Sequence, residues 1–228
     1  MSVLDIVTLE NFRKVFRNIR KVGLITTVNY VLSDFLFDMK YKIDTINTEQ
    51  LENLDIDSPN VEHGVYYEGT NAYIFKNAFS AFKIDASNSV FVDFGSGKGK
   101  AMFMAAERGF RKVIGVEFSI ELVEICRQNL EIFKAKTNTK TEFEIIHMDA
   151  SQYEIPTDAN LSFFSNPFNE ILTKKVIENI LRSYDKAPRE TWVIHLYPQG
   201  NMAFANHPRF QLEHESHDGF IFRLKPAA

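Results

Sequence analysis

The run Ser89-Val-Phe-Val-Asp-Phe94 passes directly into Gly95-Ser-Gly97-Lys-Gly99, and no other stretch restricts the fold of this chain as tightly. A short apolar, β-branched run reads as a buried strand. Glycines after it let the backbone turn sharply and lie close to a ligand, and a helix from about Lys100 brings its N-terminus to the same place. Strand, glycine turn and helix in that order begin an alternation that leads to a parallel sheet.

The alternation continues. Strands are expected at Lys112–Phe118, Glu142–His147, Leu161–Ser165 and Thr191–Tyr197, with helices at Asn71–Phe82, Ile120–Lys134 and Glu170–Ser183. Helices between strands cover both faces of a parallel sheet. The tail breaks the rhythm, because Phe210–Glu215 and Phe220–Leu224 flank Ser-His-Asp-Gly, which predicts an antiparallel hairpin. The expected fold is α/β: a doubly wound, mostly parallel seven-stranded sheet with a C-terminal antiparallel hairpin, preceded by an N-terminal helical segment. At 228 residues and 45% hydrophobic, the chain buries enough surface to fold without disulfides or a structural metal.

That N-terminal segment is expected to span residues 1–62, ahead of the main domain at 63–228. Leu9, Phe12, Val15, Phe16, Ile19 and Val22 recur at helical spacing, with Arg13, Lys14, Arg17, Arg20 and Lys21 largely opposite. A second helix carries Leu24, Ile25, Val28, Val31, Leu32, Phe35, Leu36 and Met39 on one stripe, which is expected to pack on the domain. Polar residues interrupt this stretch too often for a membrane span. Residues 47–60 read as a linker ending in Ser-Pro-Asn. Residues 11–42 hold seven Lys/Arg against Asp34 and Asp38 in a chain of net charge −4, so bulk nucleic-acid affinity is not expected and an acidic partner would dock at the basic helix. The single cysteine, Cys126, and the absence of a leader-like start are read as cytoplasmic.

A dinucleotide fingerprint needs glycines at 95, 97 and 100, and position 100 is Lys, which obstructs pyrophosphate approach. A nucleoside ligand fits better. Glu117, ending Val113-Ile-Gly-Val-Glu117, places a carboxylate about 20 residues beyond the glycines, where ribose hydroxyls are held. Asp93 two residues before the first glycine, Glu117, and Asp149 in His147-Met-Asp-Ala150 together resemble the class I S-adenosylmethionine-dependent methyltransferases over about residues 63–228, in a bacterial branch with Tyr67-Glu-Gly-Thr70 ahead of the loop and Asn166-Pro-Phe168 after the fourth strand. The resemblance implies a Rossmann-like sheet and S-adenosyl-L-methionine as cofactor. It places the cofactor on Tyr67, Glu68, Thr70, Asp93, Phe94, Gly95, Ser96, Gly97, Gly99, Glu117, Phe118, Asp149, Ala150 and Asn166. It places Asn166, Pro167 and Phe168 beside the transferred methyl.

Methyl transfer from a sulfonium is a displacement in which positioning is the main task of the protein. The Asn166 side-chain oxygen or the Pro167 carbonyl could orient an amine lone pair, and Phe168 could stack on a planar target. The motif resembles the Asn-Pro-Pro-Tyr signature of base and amide methylases but lacks its second proline, so a nitrogen on a protein or small molecule is favoured over a nucleic acid. A non-catalytic S-adenosylmethionine-binding module is the alternative, and a nicotinamide-dependent oxidoreductase, disfavoured by Lys100, is a further one. Cys126 reads as an inert core thiol and His195 as a structural histidine near the cleft. His214 and His217 fall on opposite strand faces, so no metal site is expected.

Overall fold

In the computed structural model, residues 19–46 and 68–226 are described. In chain order the elements are α1 (Leu24–Tyr41), α2 (Ala72–Ala78), β1 (Val90–Phe94), α3 (Lys100–Glu107), β2 (Lys112–Glu117), α4 (Ile120–Lys136), β3 (Glu142–His147), β4 (Ala159–Ser165), α5 (Glu170–Lys186), β5 (Trp192–Leu196), β6 (Phe210–Ser216) and β7 (Gly219–Leu224). Side-chain caps explain several starts. Asn71 accepts from Tyr73 and Ile74 N–H, Ser119 from Leu122, and Asn169 from Ile171 and Leu172, each satisfying donors that a helix leaves open. The helix expected over Asn71–Phe82 stops at Ala78, where Phe79 and Phe82 turn to pack on Phe91 and Trp192.

The sheet has seven strands in the order β3-β2-β1-β4-β5-β7-β6. β1 runs parallel to both neighbours, with Phe94 opposite Val116 of β2 and Phe164 of β4. β7 is antiparallel to β5 and forms the expected hairpin with β6. This is the expected doubly wound sheet, and the order in which strands are added reverses between β1 and β4, the switch point at which such sheets bind ligands. β1 is buried along its whole length because both faces are covered. On one side Phe91 and Phe163 pack with Phe75 of α2, Phe103 of α3 and Phe133 of α4; on the other Val92, Phe94 and Phe164 pack with Val176 and Ile180 of α5 and with Phe204.

α1 packs with the face opposite to the one expected. Leu24, Ile25, Val28, Val31, Leu32, Leu36 and Met39 are exposed, Ile25 by 80%. The inward face carries Thr27, Tyr30, Asp34, Phe37, Asp38 and Tyr41. Both sets recur at helical spacing, so periodicity alone could not choose between them. Polar anchors chose: the Tyr30 hydroxyl donates to the Asp218 carboxylate, Asp34 accepts from Asn71 and Ala72, and Asp38 accepts from the Thr45 N–H and hydroxyl. Turning α1 over would set its apolar stripe against their partners on the domain, leaving Asn71, the Ala72 N–H and Asp218 without these bonds. Among the described residues no helix is long and apolar enough to cross a membrane. The predicted basic helix lies outside the described residues except for its last turn, Ile19–Val22, and the predicted linker lies wholly outside them.

Candidate functional site

The loop after β1 and the Asn166-Pro-Phe168 segment after β4 emerge side by side at the C-terminal edge of the sheet. They touch: a Cβ on Gly95 would lie 2.3 Å from the Pro167 Cβ. Gly95, Gly97 and Gly99 all have positive φ (74°, 53° and 90°), a conformation that glycine adopts without the steric cost of a side chain. Asn166 at φ 50° and Tyr197 at φ 48° are non-glycine residues in the same region, at the ends of β4 and β5. Such backbone strain is held only where surrounding contacts enforce it. Here the Asn166 N–H donates to the Leu196 carbonyl at 3.1 Å and the Tyr197 N–H to the Asp218 carbonyl at 2.8 Å.

The glycine loop satisfies much of its own backbone. Gly95 and Ser96 N–H donate to the Val116 carbonyl, Gly99 N–H to the Ser96 carbonyl, and Gly97 N–H to Glu117 Oε2 at 2.8 Å. The amides of Gly95, Ser96, Gly97 and Gly99 are thus committed internally. Glu117 is buried, and its Oε1 accepts from the Phe118 and Ser119 N–H groups at 3.0 Å each. Burial pushes its carboxyl upward in pKa while those backbone donors pull it back. A carboxylate offers about four acceptor positions, so three backbone bonds leave room for roughly one further donor. Asp93 is buried at 3% exposure, and burial first, then the neighbouring Glu117, push its carboxyl well above the usual carboxylate range.

Other residues expected at the cofactor occupy mixed positions. Phe94 is fully buried and stacks on Phe164 at 4.9 Å, so only its backbone borders the loop. The Ser96 hydroxyl is buried without a partner and faces the sheet, 2.7 Å from where a Cβ on Gly115 would lie. Asp149 caps the short 3-10 turn Ala150–Gln152 through the Ser151 N–H and hydroxyl, with Ala150 buried beside it. Phe118 is half-buried, Thr70 is buried and Glu68 is exposed, while Tyr67 lies outside the described residues.

Phe168 is buried at 6% exposure, edge-on to Phe164, and the Asn201 amide donates to its carbonyl. Its ring belongs to the core beneath the cleft. His195 is buried between Phe164 and Phe204, and desolvation lowers its pKa to about 4, which leaves it neutral at pH 7. Cys126 packs under the loop, with its Sγ 2.6 Å from a Cβ built on Gly99, and burial pushes its thiol upward in pKa, as an inert thiol requires.

The sequence reading missed the partners of the loop lysines. Lys98 and Lys100 are 1% and 2% exposed, and their ammonium groups meet Asp44 and Asp34, from the chain that precedes the domain motifs. Two buried cations beside the positive end of α3 require carboxylates, and that requirement was the available signal.

S-adenosylmethionine, a phosphate-free cation, fits these residues. The amides of Gly95, Ser96, Gly97 and Gly99 bond internally and are not offered to a pyrophosphate, while two buried acid groups, Asp93 and Glu117, stand at the ends of β1 and β2 beside the loop.

A family model described as conserved hypothetical protein 95 matches residues 69–207. Among solved structures, yhhF of Escherichia coli, provisionally named a methyltransferase, is 14% identical, with 76% of this chain and 92% of that one covered at a TM-score of 0.56. PH1948 of Pyrococcus horikoshii, provisionally named an RNA methyltransferase, is 21% identical, with 77% and 92% covered at a TM-score of 0.50. At these identities the likeness is one of fold. No curated protein matches the chain.

Proposed function

The chain belongs to the conserved hypothetical protein 95 family and has the fold of class I methyltransferases, and we propose that it uses S-adenosyl-L-methionine to methylate a nitrogen on a protein or small molecule. The observation that carries this reading is the pairing of an internally bonded glycine loop with the buried carboxyls of Asp93 and Glu117. A dinucleotide enzyme needs open amides for its pyrophosphate. A cationic nucleoside needs acid groups and close backbone approach instead.

In this reading residues 63–228 carry the chemistry. Glu117 gives its remaining acceptor capacity to the ribose diol, Asp149 and Ala150 border the base, and Asp93 with Gly95–Gly99 borders the amino-acid end. Phe94, Ser96 and Phe118 support these through backbone and packing, Glu68 and Thr70 form the wall on the α2 side, and Tyr67 is assigned to the cofactor as well. The bound cofactor supplies an electrophilic methyl on a sulfonium that leaves as a neutral thioether. Asn166 and Pro167 do the orienting: the Asn166 side-chain oxygen or the Pro167 carbonyl accepts an N–H from the acceptor amine and aims its lone pair at the methyl. Phe168, from its buried position, holds the two in place. Orientation of this kind supplies about 7–11 kcal/mol. The basic residues Arg13–Lys21 are assigned to docking an acidic partner.

Calorimetry with S-adenosylmethionine, followed by tritium transfer from labelled donor into fractionated extract, tests the reading. Binding with label in the protein or small-molecule fraction supports it. Label in RNA would replace the acceptor assignment, binding without label would favour a non-catalytic module, and no binding would overturn the cofactor.

A further inference from the structure

Asp34 of α1 touches the first residue of two other helices. Its Oδ1 lies 2.6 Å from Lys100 Nζ and accepts the Ala72 N–H at 2.8 Å, and its Oδ2 accepts from the Asn71 amide at 2.6 Å. Lys100 opens α3 immediately after the glycine loop, and Asn71–Ala72 open α2 immediately after Glu68-Gly-Thr70. One carboxylate therefore joins the two segments that the proposed cofactor site draws on.

A second tie holds the middle of the loop. Lys98 Nζ lies 3.7 Å from Asp44 Oδ2, and the Asn129 amide of α4 donates both to the Lys98 carbonyl at 3.1 Å and to the Asp44 carbonyl at 3.0 Å. The Asp44 N–H returns a bond to Asn129 Oδ1 at 3.2 Å. Lys98 and Lys100 are thus drawn into the protein by carboxylates that come from before residue 62. Buried ammonium groups near a helix N-terminus are strongly unfavourable without such partners. The partners therefore set where the loop can sit.

We infer that Asp34, assisted by Asp44, is a positioning residue for the cofactor: the N-terminal segment braces the glycine loop and the Glu68–Thr70 wall at a fixed spacing, although it carries none of the recognition motifs. The inference rests on the S-adenosylmethionine reading above. Its consequence is that changes in α1 weaken cofactor binding without touching any group expected to contact the cofactor.

The test uses the full chain with Asp34→Asn, Asp34→Glu and the double variant Asp34→Asn/Lys100→Met, each titrated calorimetrically with S-adenosylmethionine alongside thermal melting and hydrogen exchange of the loop amides. Asp34→Asn is expected to raise Kd at least about tenfold, and Asp34→Glu to recover part of that loss. The double variant removes the buried ammonium together with its partner carboxylate, so its melting point is expected to return toward wild type while Kd stays raised and loop exchange stays fast. Wild-type Kd together with wild-type loop exchange in a folded double variant overturns the brace, leaving a purely structural ion pair. If the wild-type protein itself does not bind S-adenosylmethionine, the cofactor reading fails, and exchange in the ligand-free loop still decides the brace: acceleration in the double variant supports it and unchanged rates overturn it.

Discussion

Gly95 and Pro167 close the gap between the two strand ends at the switch point, with 2.3 Å separating the position of a Gly95 Cβ from the Pro167 Cβ. The loop that follows β1 and the motif that follows β4 therefore share one packing surface, and neither can move without the other. Gly95→Ala should destabilise through both this clash and its φ of 74°, by about 1–3 kcal/mol for the overpacking and about 1–2 kcal/mol for the left-handed backbone. Adding Pro167→Gly should relieve the clash and leave the backbone cost. Equal melting points for the single and double variants would show that the contact carries no strain.

Glu117→Gln keeps the shape of the side chain but replaces one acceptor oxygen with an NH2 group. Gly97, Phe118 and Ser119 N–H then lose at least one partner in a buried place, at a cost of about 1–3 kcal/mol to the ligand-free protein. Cofactor affinity should fall by a similar amount, since the loop and the ribose contact depend on the same group. Denaturant melts and calorimetry on one preparation separate the two effects. A variant that binds as wild type does would remove Glu117 from the site.

The strands and the glycine turn were legible because their signals are local. Val90–Phe94 is apolar but for Asp93, being covered on both faces, and glycines suit the positive φ of the loop. The packed face of α1 was not legible, because Leu24–Met39 offers two helical stripes and the choice was made by Asp218, Asn71 and Thr45, distant in sequence or outside the helix. Long-range ion pairs leave no periodic trace, so Asp34 and Asp44 stayed hidden while their partners Lys98 and Lys100 stood in plain view inside the motif. Phe168 read as a stacking platform from its place in the motif, and its burial became visible only once Phe164 and Asn201 were placed around it.

The orientation of α1 makes opposite predictions for two of its apolar residues. Phe37 is buried against Tyr41, so Phe37→Ala should cost about 3–5 kcal/mol. Ile25 is exposed, so Ile25→Gln should change stability by no more than about 0.5 kcal/mol. Chemical denaturation of both variants checks this. A large loss with Ile25→Gln would mean that this face is covered in solution.

His195 sets an acid limit on stability. Its folded pKa of about 4 lies below the unfolded value of about 6.5, so the unfolded state takes up the proton first. The associated stability is complete above about pH 6.5 and is lost as pH falls toward about 4, by an amount on the order of 3 kcal/mol. His195→Gln removes this titration. The stability difference between wild type and variant, followed by denaturant melts across that window, should therefore narrow or reverse on acidification. A difference independent of pH would show that the imidazole is protonated alike in both states.

Asn166 and Phe168 stand two residues apart and are expected to fail in different ways. Asn166 is partly exposed, and its backbone is pinned to Leu196 in a left-handed conformation that shorter polar residues tolerate best. Asn166→Ala should lower turnover by about ten- to a hundredfold, in the range of a lost orienting hydrogen bond, with S-adenosylmethionine affinity little changed. Phe168→Ala removes a buried ring and should cost about 3–5 kcal/mol of stability, with turnover per folded molecule falling only as far as Asn166 and Pro167 lose their support. Melting curves and single-turnover rates measured together distinguish the two. A Phe168→Ala protein with wild-type stability and abolished transfer would restore the ring to direct contact with the acceptor, and an Asn166→Ala protein with wild-type turnover would move the orienting role to the Pro167 carbonyl.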